Sequence, residues 1–318
     1  MNKDSRIFVT GATGFIGRGL LSELFAQGYK NITVLARPTS NLGLLKNKDI
    51  RIILGDVTDK VSLDKIKEGY DIVFHCAGFV NDGNEKVLGN VNVRGTENVC
   101  RWALEHKVLK LIYLSSVAVN SGNTQVPLAE DMPYRATNRY GFSKLEAEKI
   151  ALSFKNAGLP MVILRPCMVY GQGEPHMMAF LMRLIKFRLL LLPNRGKTKL
   201  HLVSVKNVSA CLVSCMEDER ALGKIFNIAD NEIYTVSEIF NIFSKGLGYP
   251  NPILLPYFIT KILAIIPFIG KRIKFLCKDR IYSIERLKSE LNFTPPYRAD
   301  LELAWSVQTS PCKTHILC

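Results

Sequence analysis

The 318-residue chain is short of acidic residues and lacks any paired cysteine motif. Its 28 acidic residues stand against 42 basic ones, which gives a formal net charge of +14 at pH 7. This imbalance indicates an anionic partner, either a phosphorylated small molecule or an anionic membrane, unless it marks only a basic solvated surface. The eight cysteines form no C-x-x-C pair. We therefore expect no metal site and no disulfide framework.

Signatures of nucleic-acid binding are also missing. No zinc finger, recognition helix or aromatic RNA-binding motif accompanies the basic residues, so we expect no nucleic-acid partner. The first six residues have no apolar stretch of their own, and the predicted strand follows them directly. A secretory signal is therefore not expected, and the predicted location is the cytoplasm.

Long apolar stretches are scarce, and the most unusual one, residues 252–276, is interrupted by Pro256, Lys261 and Pro267. The remaining pieces are too short to cross a bilayer. Two interpretations stay open, a buried or lid-forming pair of helices and a peripheral contact with the inner face of a membrane. A helical pattern over residues 177–192 leaves the same choice. The membrane contact is favoured by a neighbouring basic cluster of Lys271, Arg272 and Lys274.

Across the first 170 residues, short apolar runs alternate with helical patterns, which is typical of successive βαβ units. We therefore predict an α/β fold with a Rossmann-type, doubly wound and mostly parallel sheet, whose ligands bind at the carboxyl ends of the strands. The predicted helices include Glu97–His106 and Tyr140–Ala157. The predicted strands are Arg6–Thr10, Ile32–Ala36, Ile50–Leu54, Ile72–His75, Lys110–Ser115 and Met161–Arg165.

A glycine-rich turn, Thr10–Gly17, joins the first strand to a helical pattern. Glycine at positions 11 and 14 lets backbone approach a phosphate, and Gly17 lets the helix pack closely on its strand. N–H groups at the start of this helix are expected to face a pyrophosphate, although a ligand-free turn is the alternative. The predicted dinucleotide contacts are Gly11, Thr13, Gly14, Phe15, Ile16 and Gly17.

The alternating pattern breaks at Gly171, where helical and loop stretches become longer. We predict a dinucleotide-binding Rossmann domain over residues 1–170 and a smaller, mainly helical substrate-binding region over residues 171–318. A late predicted strand, Lys224–Asn227, is a candidate to rejoin the sheet.

Ser116, Tyr140 and Lys144 form the candidate catalytic group. Ser116 follows a central strand, whereas Tyr140 and Lys144 lie four apart on a predicted helix and share a face. An ammonium near a phenol favours the phenolate, so Lys144 is expected to lower the pKa of Tyr140. Ser116 would hold a substrate oxygen while Tyr140 transfers the proton. A second tyrosine and lysine with the same spacing, Tyr257 and Lys261, lie in the apolar segment, and we assign them no catalytic role.

These features resemble the extended short-chain dehydrogenase/reductases, the NAD-dependent epimerase/dehydratase family, over nearly the whole chain. The resemblance implies a nicotinamide-dependent enzyme of the Rossmann type. Its motifs occur in the family's order and are the Thr10–Gly17 turn, Gly55-Asp56-Val57, His75-Cys76-Ala77-Gly78, Asn92-Val93-Arg94-Gly95-Thr96, Ser115-Ser116, Tyr140 to Lys144, and Arg165-Pro166-Cys167-Met168-Val169-Tyr170-Gly171.

The resemblance also implies roles for single residues. Ser116, Tyr140 and Lys144 are catalytic, and Lys144 also bonds the nicotinamide ribose. The cofactor contacts it implies are Asp56 and Val57 at the adenine, Cys76, Ala77 and Gly78 along the cofactor, Asn92 at the adjoining loop, and Pro166 and Cys167 near the nicotinamide. Considered one at a time, these residues also have structural interpretations. Asp56 could cap a turn, Asn92 could cap a helix, and Ser115 could only pack beside Ser116.

Arg37, directly after the second strand, bears on which cofactor is bound. NAD-binding proteins usually carry an acidic residue there, whereas an arginine suits the 2′-phosphate of NADP(H). We therefore favour NADP(H) over NAD(H), although Arg37 stacking on the adenine would suit either. NADP(H) in turn favours a net reduction or oxidation over an epimerisation.

The substrate is predicted from the resemblance and from two departures from it. The resemblance favours hydride transfer at a hydroxyl or keto carbon of a nucleotide-linked sugar, with epimerisation as a close variant. Family members acting on such sugars often have asparagine where Met168 stands and Tyr-Gly where Asn120-Ser121 stands. A 3β-hydroxysteroid-dehydrogenase-like enzyme acting on a lipid or sterol is therefore the alternative. A non-catalytic NADP-sensing or scaffold protein is a further one, and a homodimer is left open.

Overall fold

A computed structural model describes residues 2–45, 49–176, 178–266, 270, 273 and 277–308 of the chain. Pro267 and the basic cluster Lys271, Arg272 and Lys274 lie outside the described residues. In chain order the strands are β1 Ile7–Thr10, β2 Ile32–Ala36, β3 Arg51–Leu54, β4 Ile72–His75, β5 Lys110–Leu114, β6 Met161–Pro166, β7 Met168–Tyr170, β8 Leu191–Leu192, β9 Lys199–Leu200, β10 Leu202–Ser204, β11 Ile225–Ile228, β12 Tyr234–Thr235 and β13 Ile253–Leu254.

The α-helices separate most of the first six strands, but a 3₁₀ turn, Leu42–Leu45, joins β2 to β3. The α-helices are α1 Phe15–Ala26, α2 Lys60–Asp64, α3 Glu85–Leu88, α4 Gly95–Glu105, α5 Arg139–Asn156, α6 Met178–Lys186, α7 Val205–Glu217, α8 Val236–Leu247, α9 Tyr257–Leu263, α10 Glu285–Leu291 and α11 Ala299–Ser306. Within the described residues, none of the helices combines the length and apolar character needed to cross a membrane.

Seven strands form one sheet in the order β3-β2-β1-β4-β5-β6-β11, and every pairing in it is parallel. The chain winds outward from β1 through β2 to β3, then returns to β4 on the other side of β1. This reversal is the topological switch point at which doubly wound sheets bind their ligands. The predicted Rossmann-type fold is confirmed, and β11 joins the sheet edge beside β6.

The described chain divides into two compact units. Unit one comprises residues up to 167 together with 208–228 and 283–294, and it holds the sheet. Its core includes the rings of Phe8, Tyr70 and Trp102, with centroids of Phe8 and Trp102 5.1 Å apart. Burial of these rings, together with the aliphatic side chains packed around them, stabilises the sheet.

Unit two comprises residues 168–207, 229–282 and the described part of 295–318. Its core joins α6, α8 and α11 through buried side chains such as Met182, Phe243 and Leu303. Asp230 is a buried anchor in this unit, since its carboxylate accepts from the Ser204 N–H, the Asn207 amide and the Tyr170 phenol. Burial nevertheless raises the pKa of Asp230 to about 6.

One sequence prediction in unit two is wrong. The helix predicted over residues 177–192 ends at Lys186, because Leu191 and Leu192 pair in parallel with a later segment of the chain as strands. The apolar segment is largely exposed over residues 253–266, where Phe258 is 64% and Ile265 82% exposed, whereas Gly270 and Ile273 are buried. Full burial of the predicted helix pair is therefore excluded, and the lid-forming pair stays a prediction.

Candidate functional site

The turn between β1 and α1 requires glycine at two positions. Gly11 has a φ of +73°, and a Cβ there would lie 2.5 Å from the Ala77 nitrogen. A Cβ on Gly17 would lie 2.2 Å from the Gly11 carbonyl oxygen. Gly14, the N-cap of α1, has no side chain with which to accept from the first N–H groups of the helix. Bare backbone at a helix N-terminus on the switch point fits a dinucleotide pyrophosphate.

His75 ends β4 and ties this turn to the neighbouring helix. Its Nδ1 lies 2.8 Å from the Thr10 hydroxyl and its Nε2 3.0 Å from that of Thr96. Burial, followed by the nearby charge of Lys144, lowers the pKa of His75 to about 3, so the imidazole is neutral. The residues predicted to line the cofactor, Cys76 to Gly78, follow directly at the carboxyl edge of the sheet. Burial raises the pKa of the Cys76 thiol to about 12, which makes it a poor nucleophile.

Asn92 lies fully buried in a π-helical turn, Gly89–Arg94, between α3 and α4. Its amide oxygen accepts from the Phe79 N–H at 2.8 Å, and its Nδ2 donates to the Phe79 carbonyl at 2.9 Å. The same Nδ2 donates to the Ser143 hydroxyl, which in turn donates to the Tyr140 carbonyl. Asn92 thus connects the loop after β4 with the first turn of α5.

The three predicted catalytic residues belong to β5 and α5. Ser116 begins a short 3₁₀ turn after β5, and its hydroxyl accepts from the Ala118 N–H. Tyr140 is held at the start of α5 by Asp82, whose carboxylate accepts the Tyr140 N–H at 2.7 Å. The buried Lys144 ammonium donates to the Leu114 carbonyl at 2.8 Å.

The pKa of Tyr140 differs from the sequence-based expectation. Burial raises this pKa above its usual value, and a hydrogen bond with Ser116 opposes the rise only in part. The Lys144 ammonium is engaged by the Leu114 carbonyl and lies 4.6 Å from the ring centre of Tyr113. The prediction that Lys144 lowers the pKa of Tyr140 toward neutrality is therefore wrong, and Tyr140 is a neutral phenol at pH 7.

A buried ion pair beneath the catalytic helix was missed by the sequence reasoning. Glu148, one turn beyond Lys144, is paired with Arg165 of β6, and their side chains are 0% and 2% exposed. Glu148 also accepts hydrogen bonds from Ser115 and Tyr134. Ser115 is thus a hydrogen-bond donor in this cluster rather than only a packing neighbour. The available signal was an arginine inside an otherwise apolar strand, which requires a buried partner.

The adenosine side of the predicted site follows β2 and β3. Arg37 comes directly after β2 and is exposed. The Asp56 carboxylate accepts the Thr58 N–H at 2.9 Å. Asp56 therefore caps a turn, as the alternative interpretation of this residue predicts. Val57 is buried, and its carbonyl accepts from the Asn98 amide of α4. Pro166 and Cys167 stand at the carboxyl end of β6, where the Cys167 N–H donates to the Ile228 carbonyl.

The predicted site residues all belong to unit one, at the ends of parallel strands or the starts of the helices that follow them. Across the described residues, no cluster of three or more His, Cys, Asp or Glu side chains is arranged to hold a metal ion. The arrangement instead offers a neutral phenol, a serine hydroxyl and a buried ammonium beside a glycine-lined cradle. These groups are able to move a proton and to hold a phosphorylated dinucleotide.

Comparison with known proteins identifies the family. Residues 7–229 match the NAD dependent epimerase/dehydratase family. A UDP-glucose 4-epimerase of Vibrio cholerae is 28% identical over 255 residues, covering 77% of this chain and 76% of that protein. The sterol-4-alpha-carboxylate 3-dehydrogenase, decarboxylating, of Homo sapiens is 25% identical over 337 residues, covering 97% of this chain and 89% of that protein.

A solved structure shares the fold. The Bordetella bronchiseptica enzyme WbmG in complex with NAD aligns with a TM-score of 0.78 at 20% identity, covering 96% of this chain and 93% of that one. Since the family match extends over more than half of the chain, the protein belongs to the NAD-dependent epimerase/dehydratase family of extended short-chain dehydrogenases/reductases and is a nicotinamide-dependent enzyme.

Proposed function

We propose that this enzyme transfers hydride between NADP(H) and a hydroxyl- or keto-bearing carbon, with Ser116, Tyr140 and Lys144 as its catalytic residues. The observation that carries the proposal is the hydrogen bond from the buried Lys144 ammonium to the Leu114 carbonyl, which joins the first turns of α5, with Tyr140, to the end of β5. Ser116 follows directly, at the start of the 3₁₀ turn after β5. The chain has all three residues and belongs to an enzyme family. Both facts argue against the alternative of a non-catalytic NADP-sensing or scaffold protein.

The residues divide the chemistry among them. When bound, the nicotinamide supplies or accepts the hydride. Ser116 holds the substrate oxygen, and Tyr140 exchanges a proton with it. Lys144 hydrogen-bonds the nicotinamide ribose, while the glycine turn and the N–H groups of α1 receive the pyrophosphate. Asn92 fixes the loop along which Cys76, Ala77 and Gly78 line the cofactor.

The protonated phenol of Tyr140 is the form that donates a proton to a keto oxygen, whereas oxidation of an alcohol begins with the phenolate. A tyrosine is protonated at neutral pH even at its ordinary pKa, so the raised pKa of Tyr140 does not select the direction of reaction. The preference for a reductase rests on the arginine after β2.

For the substrate we propose a nucleotide-linked sugar. The relative named UDP-glucose 4-epimerase and the excess of basic residues support an anionic, diphosphate-bearing substrate. A lipid or sterol is the second candidate, favoured by the relative named as a sterol dehydrogenase and by exposed apolar side chains in unit two. We assign substrate binding to residues 171–318, as the sequence predicts. A cytoplasmic location and a homodimer also stay predictions.

The deciding experiment is a screen for NADPH oxidation with keto forms of UDP-, GDP- and dTDP-sugars on one side and keto-sterols on the other. We expect turnover with a nucleotide sugar, and mass spectrometry of the product should show addition of two hydrogens. Turnover with keto-sterols alone would contradict the proposal that the substrate is a nucleotide-linked sugar. No turnover with any carbonyl, despite bound cofactor, would contradict a net reduction by NADPH.

Arg37→Asp should reverse the cofactor preference. The substitution removes a charged partner of the 2′-phosphate and places a carboxylate where it can accept from the ribose hydroxyls. We expect the NADPH-to-NADH affinity ratio to fall on the order of 100-fold. Fluorescence titration of both cofactors measures it, with Arg51→Asp, an exposed arginine of β3, as the matched control. An unchanged ratio would show that Arg37 does not recognise the phosphate.

Lys144 should make NADPH binding weaken as the pH rises through about 8. Burial lowers the pKa of Lys144 to about 8, so the ammonium is charged below that value and neutral above it. Loss of a charge-assisted hydrogen bond to the ribose is expected to weaken affinity about fivefold. Titration of NADPH between pH 6 and 10 tests this. Lys144→Arg, which stays charged throughout, should flatten the profile, and a flat wild-type profile would refute the assignment.

A further inference from the structure

Unit two exposes an apolar surface built from two chain segments. Large apolar side chains stand out from the first segment at Phe187, Leu189 and Leu191, which are 48–64% exposed. The second segment runs from β13 to just beyond α9 and exposes Ile253, Tyr257, Phe258, Ile262 and Ile265. We call these eight residues the apolar face. Single exposed apolar residues are ordinary, but a contiguous set marks an interaction site.

The two segments are joined by direct contacts. Leu191 of β8 and Ile253 of β13 are registered neighbours in a parallel pair, so their exposed side chains lie on the same side. The Arg195 N–H donates to the Leu255 carbonyl at 2.9 Å, and the Asn194 N–H donates to the Thr260 hydroxyl at 2.8 Å. The apolar face is therefore a built feature of the unit.

Helix α9 contributes its own apolar stripe to this face. Phe258 and Ile262 are one turn apart and are 64% and 60% exposed. Lys261 stands beside them, with its ammonium 4.8 Å from the Tyr257 ring centre. An aromatic and aliphatic stripe flanked by lysine is typical of a helix lying in a membrane interface, where the lysine reaches the head groups.

The charge around the apolar face has one sign. The sequence contains no Asp or Glu in residues 175–216 or 239–278, the two stretches that supply the face. Basic side chains next to it include Arg183, Lys186, Arg188 and Lys261. In the part of the chain that the structure describes, none of these four forms an ion pair with a carboxylate. Their charge is therefore left to attract an anionic partner.

We propose that the apolar face docks on the surface of an anionic lipid bilayer, with Phe258 and Ile262 inserted among the lipids and the surrounding arginines and lysines on the head groups. Each basic side chain near such a surface raises binding by about fivefold. Binding to another protein would not require both stretches to lack acidic residues. Binding to a second copy of this chain would place the basic side chains of the two copies against each other. The proposal is independent of the substrate and of the catalytic assignment.

Vesicle flotation of the full chain tests the proposal. We expect the protein to float with phosphatidylcholine vesicles that contain phosphatidylserine and to remain at the bottom of the gradient with vesicles of phosphatidylcholine alone. High salt should release the protein from the anionic vesicles. The double variant F258D/I262D should bind on the order of 100-fold more weakly, because two apolar insertions are replaced by charges. Arg183→Gln with Lys261→Gln should weaken binding about 25-fold.

The matched control is the double variant V61D/L109D, which makes the same charge change at exposed apolar positions of unit one. It should float like the wild type, and all variants should bind NADPH equally. Failure of the wild type to float with anionic vesicles would overturn the proposal. An equal loss of vesicle binding in F258D/I262D and V61D/L109D would also overturn it. A dimer that F258D/I262D dissociates, without vesicle binding, would assign the face to a second copy instead. Vesicle binding without hydride transfer would contradict only the proposed function.

Discussion

Tyr140→Phe is expected to lower kcat by about 10²- to 10⁴-fold, because it removes the phenolic proton donor and leaves the ring in place. The affinity for NADPH should stay within about twofold of the wild type, since the cofactor cradle of glycines and helix N–H groups is untouched. Steady-state kinetics with the carbonyl substrate, together with a fluorescence titration of NADPH, measures both quantities. The split between lost turnover and retained binding distinguishes a proton donor from a structural residue.

The chain supplies its own control for this variant. Tyr257 precedes Lys261 by the same four residues, but it lies on an exposed helix of unit two. Tyr257→Phe should therefore leave kcat unchanged. Full activity in Tyr140→Phe would remove Tyr140 from the proton-transfer step, whatever the substrate proves to be.

Glu148→Gln is expected to destabilise the protein by about 3–5 kcal/mol, because it leaves the buried Arg165 guanidinium without its counter-charge. The same change should lower the pKa of Lys144 further below its value of about 8, since the Glu148 charge raises it. Urea denaturation followed by circular dichroism measures the first effect. The pH dependence of NADPH binding measures the second, and a purely structural role would leave that profile unmoved.

Two comparisons sharpen this prediction. Ser115→Ala removes one hydroxyl donor to the Glu148 carboxylate and should cost about 1.5–3 kcal/mol, less than the loss of the counter-charge. Glu148→Gln combined with Arg165→Met removes both charges, so the pair should be less destabilising than the sum of the single changes. Strict additivity would show that the two side chains do not depend on each other. Loss of less than 1 kcal/mol in Glu148→Gln would contradict the buried ion pair as an energetic unit.

Local patterns were sufficient to predict the sheet. Each βαβ strand of unit one is a short apolar run between turns, and observed bounds such as Ile32–Ala36 and Ile72–His75 coincide with the predicted ones. The strand predicted at Lys224–Asn227 appears one residue later, as β11. Apart from the edge strand β3, the first six strands of the sheet are buried along their whole length, so their apolar character is visible in sequence without knowledge of their neighbours.

The same patterns failed where a residue's state depends on distant groups. The spacing of Tyr140 and Lys144 predicts a shared helix face, but it does not show that the Leu114 carbonyl engages the ammonium. The segment after residue 252 has an apolar composition that suggested burial, whereas its side chains are largely exposed. Leucines 191 and 192 continue a helical pattern, and only pairing with β13 makes them a strand.

The sequence by itself determined the glycine turn, the order of the first six strands, and the family, because each is written in local spacing and residue type. Tertiary structure alone decided that Glu148 pairs with Arg165, that burial raises the pKa of Tyr140, and that two acid-free segments expose one apolar face. These features arise from groups far apart in the chain, whose burial and mutual fields exist only after folding. Function in this enzyme depends on both.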